Sequence, residues 1–317
     1  MVASFYVVDG HGYSYQSFFA IQHLSTAAGT PTNAVFGFAK FLDKIFAQKP
    51  DYLAICFDAP GAKFRQAMFS DYKATRKPMP DELRPQIALI KELLQAYGIA
   101  TFELAGHEAD DLMATLARQV AGTPELQTYL VTQDKDMLQL VGDTVKVYDS
   151  KGDLVLDEQE VTNRWQLLPK RLPDYFALIG DAADNIPGIK GIGKKTALAL
   201  LAQWDNLEEI YHHLGEVKPE KVRKLLEENR DNAFLSRKLF LLEDQAPIEF
   251  SLANCQWRPG GDRERLKEFF RKLEFQSLLH KLEAEPVNNA MTNEPTTATP
   301  MPVSPCKLKQ NQQEFDW

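Results

Sequence analysis

The stretch Phe5-Tyr6-Val7-Val8-Asp9 is a hydrophobic run of strand length that ends in an acid. The pattern returns twice, as Leu53 to Phe57 followed by Asp58 and as Tyr129 to Gln133 followed by Asp134. Continuous apolarity, without alternation, is typical of strands that are covered on both faces in a parallel sheet. Because ligands of such sheets bind beyond the carboxyl ends of the strands, we expect the three acids to share one crevice.

Helical patterns between these runs predict an α/β domain for residues 1–157. Asp81 to Tyr97 and Glu108 to Val120 have hydrophobic residues at helical spacing, and Thr144 to Tyr148 reads as a further strand. From residue 158 to 284 strand patterns are absent. The helices expected there are Leu172 to Ile179, Lys194 to Trp204, Leu207 to Leu214, Pro219 to Asn229, Asp231 to Leu242 and Asp262 to Leu282.

Composition excludes several protein classes. The 317 residues are 44% hydrophobic and 25% charged, with a formal net charge of -8, which excludes collagen, general disorder and a small disulfide scaffold. Cys56, Cys255 and Cys306 lie too far apart in the sequence to suggest a zinc motif or a disulfide framework. Without a signal peptide or a long apolar segment, we expect a soluble, cytoplasmic protein. We also expect a monomer.

Further acids join the three at the strand ends. Glu108, Asp110 and Asp111 fall at a predicted helix start, Asp136 follows Asp134 closely, and Asp181 and Asp184 are spaced to share one face of a helix. Nine carboxylates in one crevice repel one another unless cations bind, and oxygen ligands without His or Cys favour Mg²⁺ or Mn²⁺. The alternative is that each acid caps a helix, which any one of them could do. Capping does not require the clusters E-x-D-D, D-x-D and D-x-x-D, so we favour a metal site.

Two basic segments have the opposite charge. The glycine-rich turn from Gly188 to Ala197 carries Lys190, Lys194 and Lys195 and leads into a helix start, which suits sequence-independent binding of a phosphate backbone. It could also merely join two helices. The basic and aromatic segment from Lys63 to Pro80 could bring cations to a phosphate, stack an aromatic ring on a base and move over the crevice, or be a solvated helix and loop.

Six motifs together resemble one known family. They are VVDGHGYSY (7–15), FDAPGAKFR (57–65), YKATRKPMP (72–80), GHEADDLMATLA (106–117), TQDKDMLQL (132–140) and GDAADNIPGIKGIGKKTA (180–197). The chain resembles the bacterial 5′→3′ exonuclease and flap endonuclease family, which includes the N-terminal domain of DNA polymerase I. The resemblance implies a PIN-like α/β domain with a basic arch at about 63–80, and a helical region with a helix-three-turn-helix motif at about 172–204.

The resemblance also implies roles for individual residues. It implies two Mg²⁺ or Mn²⁺ ions, the first held by Asp9, Asp58, Glu108, Asp110 and Asp111, the second by Asp134, Asp136, Asp181 and Asp184. Lys73 and Arg76 are implied as catalytic cations of the arch, and the turn is implied to hold K⁺. The implied DNA-binding residues are Arg65, Tyr72, Lys190, Gly191, Gly193, Lys194, Lys195 and Thr196.

One position departs from the family pattern. The family commonly reads Tyr-Arg-Ala-Phe-Phe where this chain has Tyr15-Gln16-Ser17-Phe18-Phe19. Loss of that arginine removes a phosphate contact but no metal ligand. We therefore expect altered flap binding with catalysis retained.

The expected function is metal-dependent 5′→3′ exonuclease and 5′-flap endonuclease activity on DNA with flaps, nicks or 5′ ends, in primer removal and repair. A non-catalytic DNA-structure-binding relative would not need all nine acids. A phosphatase with an Asp nucleophile would need a second acid two residues after Asp9, where the chain has His11. A dehydrogenase is excluded because no G-x-G-x-x-G follows the first strand.

The end of the sequence has a different composition. Pro286 to Pro305 contains five prolines and no Lys, Arg or aromatic residue, so we predict a disordered tail over 285–317. The tail could be a linker to a polymerase, or residues Gln312 to Trp317 could bind a polymerase or sliding-clamp partner, against a plain disordered end. Without the nine acids the formal charge of -8 becomes +1, so the acidity is concentrated at the predicted metal site.

Overall fold

The computed structural model describes residues 2–61 and 63–284 and confirms a mixed α/β fold. A six-stranded sheet has the order β3-β2-β1-β4-β5-β6, parallel except for β6. The predicted tail, Cys306 and Gln312 to Trp317 lie outside the described residues. The strands are β1 Ala3–Asp9, β2 Tyr52–Asp58, β3 Ala100–Leu104, β4 Leu126–Val131, β5 Val145–Asp149 and β6 Leu154–Leu156.

Both faces of the sheet are covered, as continuous apolarity predicts. Phe5 and Val7 of β1 face one hydrophobic cluster, and Tyr6 and Val8 face the other. The two strands that the sequence did not predict lie at the edges of the sheet. There one face is exposed or the strand is only three residues long, so no continuous apolar run marks it.

Among the described residues, five helices belong to the first half of the chain and eight to the second. The first five are α1 Gly10–Ala20, α2 Asn33–Ala47, α3 Phe64–Met68, α4 Arg84–Tyr97 and α5 Ala109–Val120. The others are α6 Glu158–Trp165, α7 Leu172–Ile179, α8 Lys194–Gln203, α9 Leu207–His212, α10 Glu220–Glu228, α11 Arg230–Phe240, α12 Arg263–Lys272 and α13 Gln276–Ala284. None of the helices in the described ranges is long and apolar enough to cross a membrane.

The predicted helix from Asp262 to Leu282 is wrong, because the segment folds as a hairpin of two helices. Glu274 has a left-handed backbone (φ 58°) between α12 and α13, and Phe275 donates its N–H to the Phe270 carbonyl at 2.8 Å. The hairpin packs in the cluster with α2 and α4, against the α/β layer. The chain thus returns to its first half after α11.

A buried arginine joins three parts of the fold. Arg65 of α3 is 1% exposed, and its two terminal nitrogens bond both carboxylate oxygens of Asp111 at 2.9 and 2.7 Å. Its Nε donates to the Leu239 carbonyl at 3.0 Å and its Nη2 to the Leu241 carbonyl at 2.7 Å. The guanidinium therefore ties the segment after β2 to α5 and to the end of α11.

We expect Arg65→Met to destabilise the protein by about 3–5 kcal/mol, because it leaves the Asp111 carboxylate buried without a countercharge. The double variant Arg65→Met/Asp111→Leu should recover part of the loss, since it removes both charges. Urea unfolding of the two variants measures the difference. A single variant within about 1 kcal/mol of the unmodified protein would contradict the account.

Candidate active site

The carboxyl ends of three adjacent strands open into one cleft of about 980 Å³. Asp9 and Asp58 end β1 and β2, Asp134 comes shortly after β4, and all three line the cleft, as the sequence predicts. Glu108 and Asp110 line it from the start of α5. A parallel sheet with this strand order brings together acids that are distant in sequence.

Two of the acids that line the cleft, Asp9 and Asp58, also accept backbone N–H groups at the start of a helix. Asp9 caps α1 by accepting the Gly12 N–H at 2.8 Å. Asp58 accepts the Ala109 N–H of α5 at 2.8 Å. Each carboxylate has a second oxygen, so a cap that fixes the side chain also leaves an acceptor for another partner.

A second group of acids lies where three carboxylate oxygens, one each from Asp136, Asp181 and Asp184, are within 4.8 Å of one another. Their side chains are 9%, 9% and 4% exposed. The prediction that Asp181 and Asp184 share one face of a helix is wrong, because both residues lie in a loop after α7. Asp181 and Ile186 close that loop by exchanging backbone hydrogen bonds of 2.9 and 2.8 Å.

Burial and mutual repulsion oppose ionisation of three of the acids, Asp9, Asp110 and Asp136. Burial, with the charges of Asp58 and Asp134, raises the pKa of Asp9 to about 7, although the Gly12 hydrogen bond lowers it. Burial and the charges of Asp134 and Asp9 raise the pKa of Asp110 well above its ordinary value. Burial and the charge of Asp134 do the same to the pKa of Asp136. These protein groups therefore favour a bound proton or another cation.

Among the described residues, four lysines and arginines contact the acids. One is Arg65, which bonds Asp111 and whose Nη1 also lies 3.0 Å from Glu108 Oε2. Lys73 Nζ is 2.7 Å from Glu108 Oε1, and Arg76 Nη2 is 2.5 Å from Asp184 Oδ1. Lys135 Nζ is 2.7 Å from Asp181 Oδ2. Burial lowers the pKa of Lys73, but the charges of Glu108 and Asp184 outweigh it, and the net pKa is raised.

Sequence reasoning missed two residues that lie beside the acids. The sequence does give a signal for Lys135, because this lysine lies between two acids in Asp134-Lys135-Asp136. His11 lines the cleft, and its Nδ1 accepts the Asp58 N–H at 3.0 Å. Burial lowers the pKa of His11, so the neutral ring that this acceptor requires is favoured.

Three residues differ from their expected roles because they are buried. Arg65 cannot reach DNA from a position that is 1% exposed. Asp111 is 0% exposed, and both its oxygens bond Arg65, so it is placed as the partner of that arginine and not as a ligand facing the cleft. Tyr72 is 3% exposed and donates its hydroxyl to Glu108 Oε2 at 3.1 Å, so its ring is not available for stacking.

The glycine-rich turn keeps its cations in solvent. Lys190, Lys194 and Lys195 are exposed, while Ile189 and Ile192 between them are buried and fix the turn. Gly193 precedes α8, and no side chain of the described residues caps its first N–H groups. The turn presents the remaining predicted positions together: Gly191 and Gly193 are exposed and Thr196 is half-buried.

Comparison with known proteins identifies the family. Residues 4–166 match the model of the 5′-3′ exonuclease N-terminal resolvase-like domain, and residues 167–263 match its C-terminal SAM fold. A 5′-3′ exonuclease of Aquifex aeolicus is 37% identical over 279 residues, which cover 88% of this chain and 94% of that protein. The thermostable DNA polymerase I of Thermus thermophilus is 43% identical over 278 residues, but this chain spans only 32% of its length.

Solved structures have the same fold at low sequence identity. The T5 5′-exonuclease with bound zinc is 17% identical, with a TM-score of 0.65 over 87% of this chain and 98% of that chain. The catalytic core of Rad2 in complex with a DNA substrate is 17% identical, with a TM-score of 0.60 over 89% and 90% of the two chains. From its two family matches and its relatives, this chain belongs to the 5′-3′ exonuclease family.

Proposed function

We propose that the chain is a divalent-metal-dependent nuclease that hydrolyses DNA phosphodiester bonds from 5′ ends and at 5′ flaps. The observation that carries the proposal is the set of acids at the carboxyl ends of β1, β2 and β4 that line one cleft, together with the three-carboxylate group of Asp136, Asp181 and Asp184. A fold that needed these acids only for stability would not bring so many of them together, with the pKa values of Asp9, Asp110 and Asp136 raised.

The residues fit two hard divalent cations such as Mg²⁺ or Mn²⁺. The Asp136 Oδ1 atom is buried without a hydrogen-bond partner in the described residues, and Asp136 belongs to the group whose carboxylates each place one oxygen within 4.8 Å of the others. Asp136, Asp181 and Asp184 would hold one ion, and Asp9, Glu108 and Asp110 with Asp58 and Asp134 the other, in part through water. Bound divalent ions would supply a more acidic water and would neutralise charge on the leaving oxygen.

The chain's own cations contribute at the phosphate. Lys73 and Arg76 lie at the cleft wall on flexible stems, so they can exchange their carboxylate partners for phosphate oxygens. The exposed turn from Lys190 to Lys195 would hold the duplex by its backbone, with a K⁺ ion at the same turn. Asp111 takes no direct part, because Arg65 holds it in the interior.

Biological context is also a proposal. Primer removal and repair in the cytoplasm fit a 5′ nuclease, and a polymerase or sliding clamp is a candidate partner through residues 285–317, which lie outside the described residues. The alternative, a DNA-structure-binding protein without activity, would bind a flap equally well with and without divalent ions and would leave it intact.

We expect Asp184→Asn to slow cleavage of a 5′-flap duplex by about 100-fold or more, because it removes the negative charge of one of the three carboxylates proposed to hold a divalent ion. Asp143→Asn is the matched control, since Asp143 is exposed and outside the cleft. Single-turnover rates at fixed Mg²⁺ measure the effect. Equal rates for the two variants would exclude the assigned metal site.

The raised pKa of Asp9 predicts how stability depends on pH without metal. Between about pH 4 and 7 the folded state binds more protons than the unfolded state, so the free energy of unfolding falls as pH rises through that window. In a chelator we therefore expect a melting temperature roughly 5 °C lower at about pH 8 than at about pH 5.5. Mg²⁺ should reverse most of the loss at the higher pH.

Asp9→Asn isolates this effect, because it removes the titrating group and keeps an acceptor for Gly12. The variant in chelator should show a smaller pH dependence than the unmodified protein, in thermal melts at matched ionic strength. An unchanged pH dependence would show that Asp9 is not the source.

Gln16 lines the cleft, so the departure at this position has a direct test. Gln16→Arg would add a cation beside the entering strand, and we expect about 3- to 10-fold tighter flap binding with a steeper dependence on salt. Fluorescence anisotropy at several salt concentrations, in Ca²⁺ to prevent cleavage, measures both quantities. Unaltered affinity and slope would disprove a role in phosphate contact.

A further inference from the structure

Asn185 joins the arch to the loop that carries two of the metal-site acids. Its Nδ2 donates to the backbone carbonyl of Asp71 at 2.7 Å. In the opposite direction, the backbone N–H of Lys73 donates to the carbonyl of Asp184 at 3.0 Å. The segment 71–73 and the segment 184–185 are thus held together by a reciprocal pair of hydrogen bonds, which we call the arch clasp.

Only one of the four groups in the arch clasp is a side chain. Three are backbone atoms of Asp71, Lys73 and Asp184, which any residue would provide. The amide of Asn185 is therefore the group through which the sequence specifies this contact. The backbone at Asn185 is left-handed, with φ of 55°, a conformation that Asn and Gly accept more readily than other residues.

The arch clasp fixes the starting points of two cationic side chains. Lys73 is itself in a left-handed conformation, with φ of 56°, and its Nζ lies 2.7 Å from Glu108 and 3.7 Å from Asp184. Arg76 follows within one turn and reaches Asp184 at 2.5 Å. A shift of the arch backbone would move both cations relative to the acids, and catalytic rates are sensitive to displacements of about 1 Å.

We infer that Asn185 is a positioning residue of the nuclease. Its amide holds the arch backbone in the position from which the Lys73 and Arg76 side chains reach the scissile phosphate. This inference rests on the proposed function, because it assigns those cations to a phosphate. Asn185 follows the metal-site acid Asp184 in the chain, and its side-chain amide bonds the Asp71 carbonyl. It acts through the backbone of Asp71 and Lys73.

Asn185→Gly tests the inference, because glycine keeps the left-handed backbone and removes only the amide. Ala182→Gly is the matched control: it also adds a glycine to the 181–186 loop, at an exposed residue without a polar side chain. We expect Asn185→Gly to lower the single-turnover cleavage rate at saturating flap substrate by roughly 5- to 10-fold, which is the effect expected from the loss of one hydrogen bond. The control should stay within about twofold, and Mn²⁺ affinity should be the same in both.

Asn185→Asp gives a second variant that tolerates the left-handed backbone. It places a carboxylate against the Asp71 carbonyl, two acceptors facing each other, so it should slow cleavage more than the glycine variant. A rate equal to that of the unmodified protein would contradict donation by this side chain.

Two readouts separate positioning from a general structural role. Hydrogen exchange at the Lys73 amide should become about 5- to 10-fold faster in Asn185→Gly and not in Ala182→Gly, because the arch clasp opens more often. In a Lys73→Ala/Arg76→Ala background, Asn185→Gly should change the rate by less than about twofold, since the groups it positions are gone.

Unchanged cleavage by Asn185→Gly would overturn the inference, whatever the exchange rate shows. An equal loss in the background that lacks both cations would also overturn it, because Asn185 would then act by another route. The proposed function fails in a different way, through an unmodified protein that does not cleave the flap at all. The exchange measurement does not depend on that activity.

Discussion

Repulsion among buried carboxylates is the constraint on which the rest of the structure depends. The strand order β2-β1-β4 brings Asp9, Asp58 and Asp134 to one edge of the sheet. Burial there raises the pKa of Asp9 to about 7 and that of Asp110 well above its ordinary value. Such a site is stable only with protons, with cations of the protein or with cations from solution.

The protein meets this constraint with side chains from outside the sheet. Lys73 and Arg76 come from the arch, and Lys135 comes from between two of the acids. Arg65 neutralises Asp111 in the interior and so removes one acid from the crowded edge. The same contacts tie the arch and the second half of the chain to the first. The same contacts therefore compensate the charge of the acids and join the two halves of the chain.

The sequence predicts the fold class and the meeting of the strand-end acids for a simple reason. Both depend on short patterns: continuous apolar runs that end in Asp, and the strong tendency of parallel strands to end at one edge. Edge strand β3 was missed because its burial is only partial. The α12–α13 hairpin was missed because a single left-handed residue, Glu274, interrupts an otherwise continuous helical pattern.

Which polar residues are buried could not be predicted from local patterns. Arg65 and Tyr72 read as solvent-facing residues of a basic segment, yet both are enclosed, because Asp111 and Glu108 accept their hydrogens. Asp111 reads as one acid of a cluster, and only the packing of α3 against α5 reveals its partner. The role of Lys135 likewise depends on Asp181, which is 46 residues away in the chain.

Anomalous scattering from Mn²⁺ in crystals of the unmodified protein tests the central claim most directly. The account predicts one peak among Asp136, Asp181 and Asp184 and a second beside Asp9 and Asp110, with Lys135 and Arg76 moved away from their carboxylates. Crystals soaked in Mn²⁺ that show no peak at either group, with Lys135 still on Asp181, would contradict it.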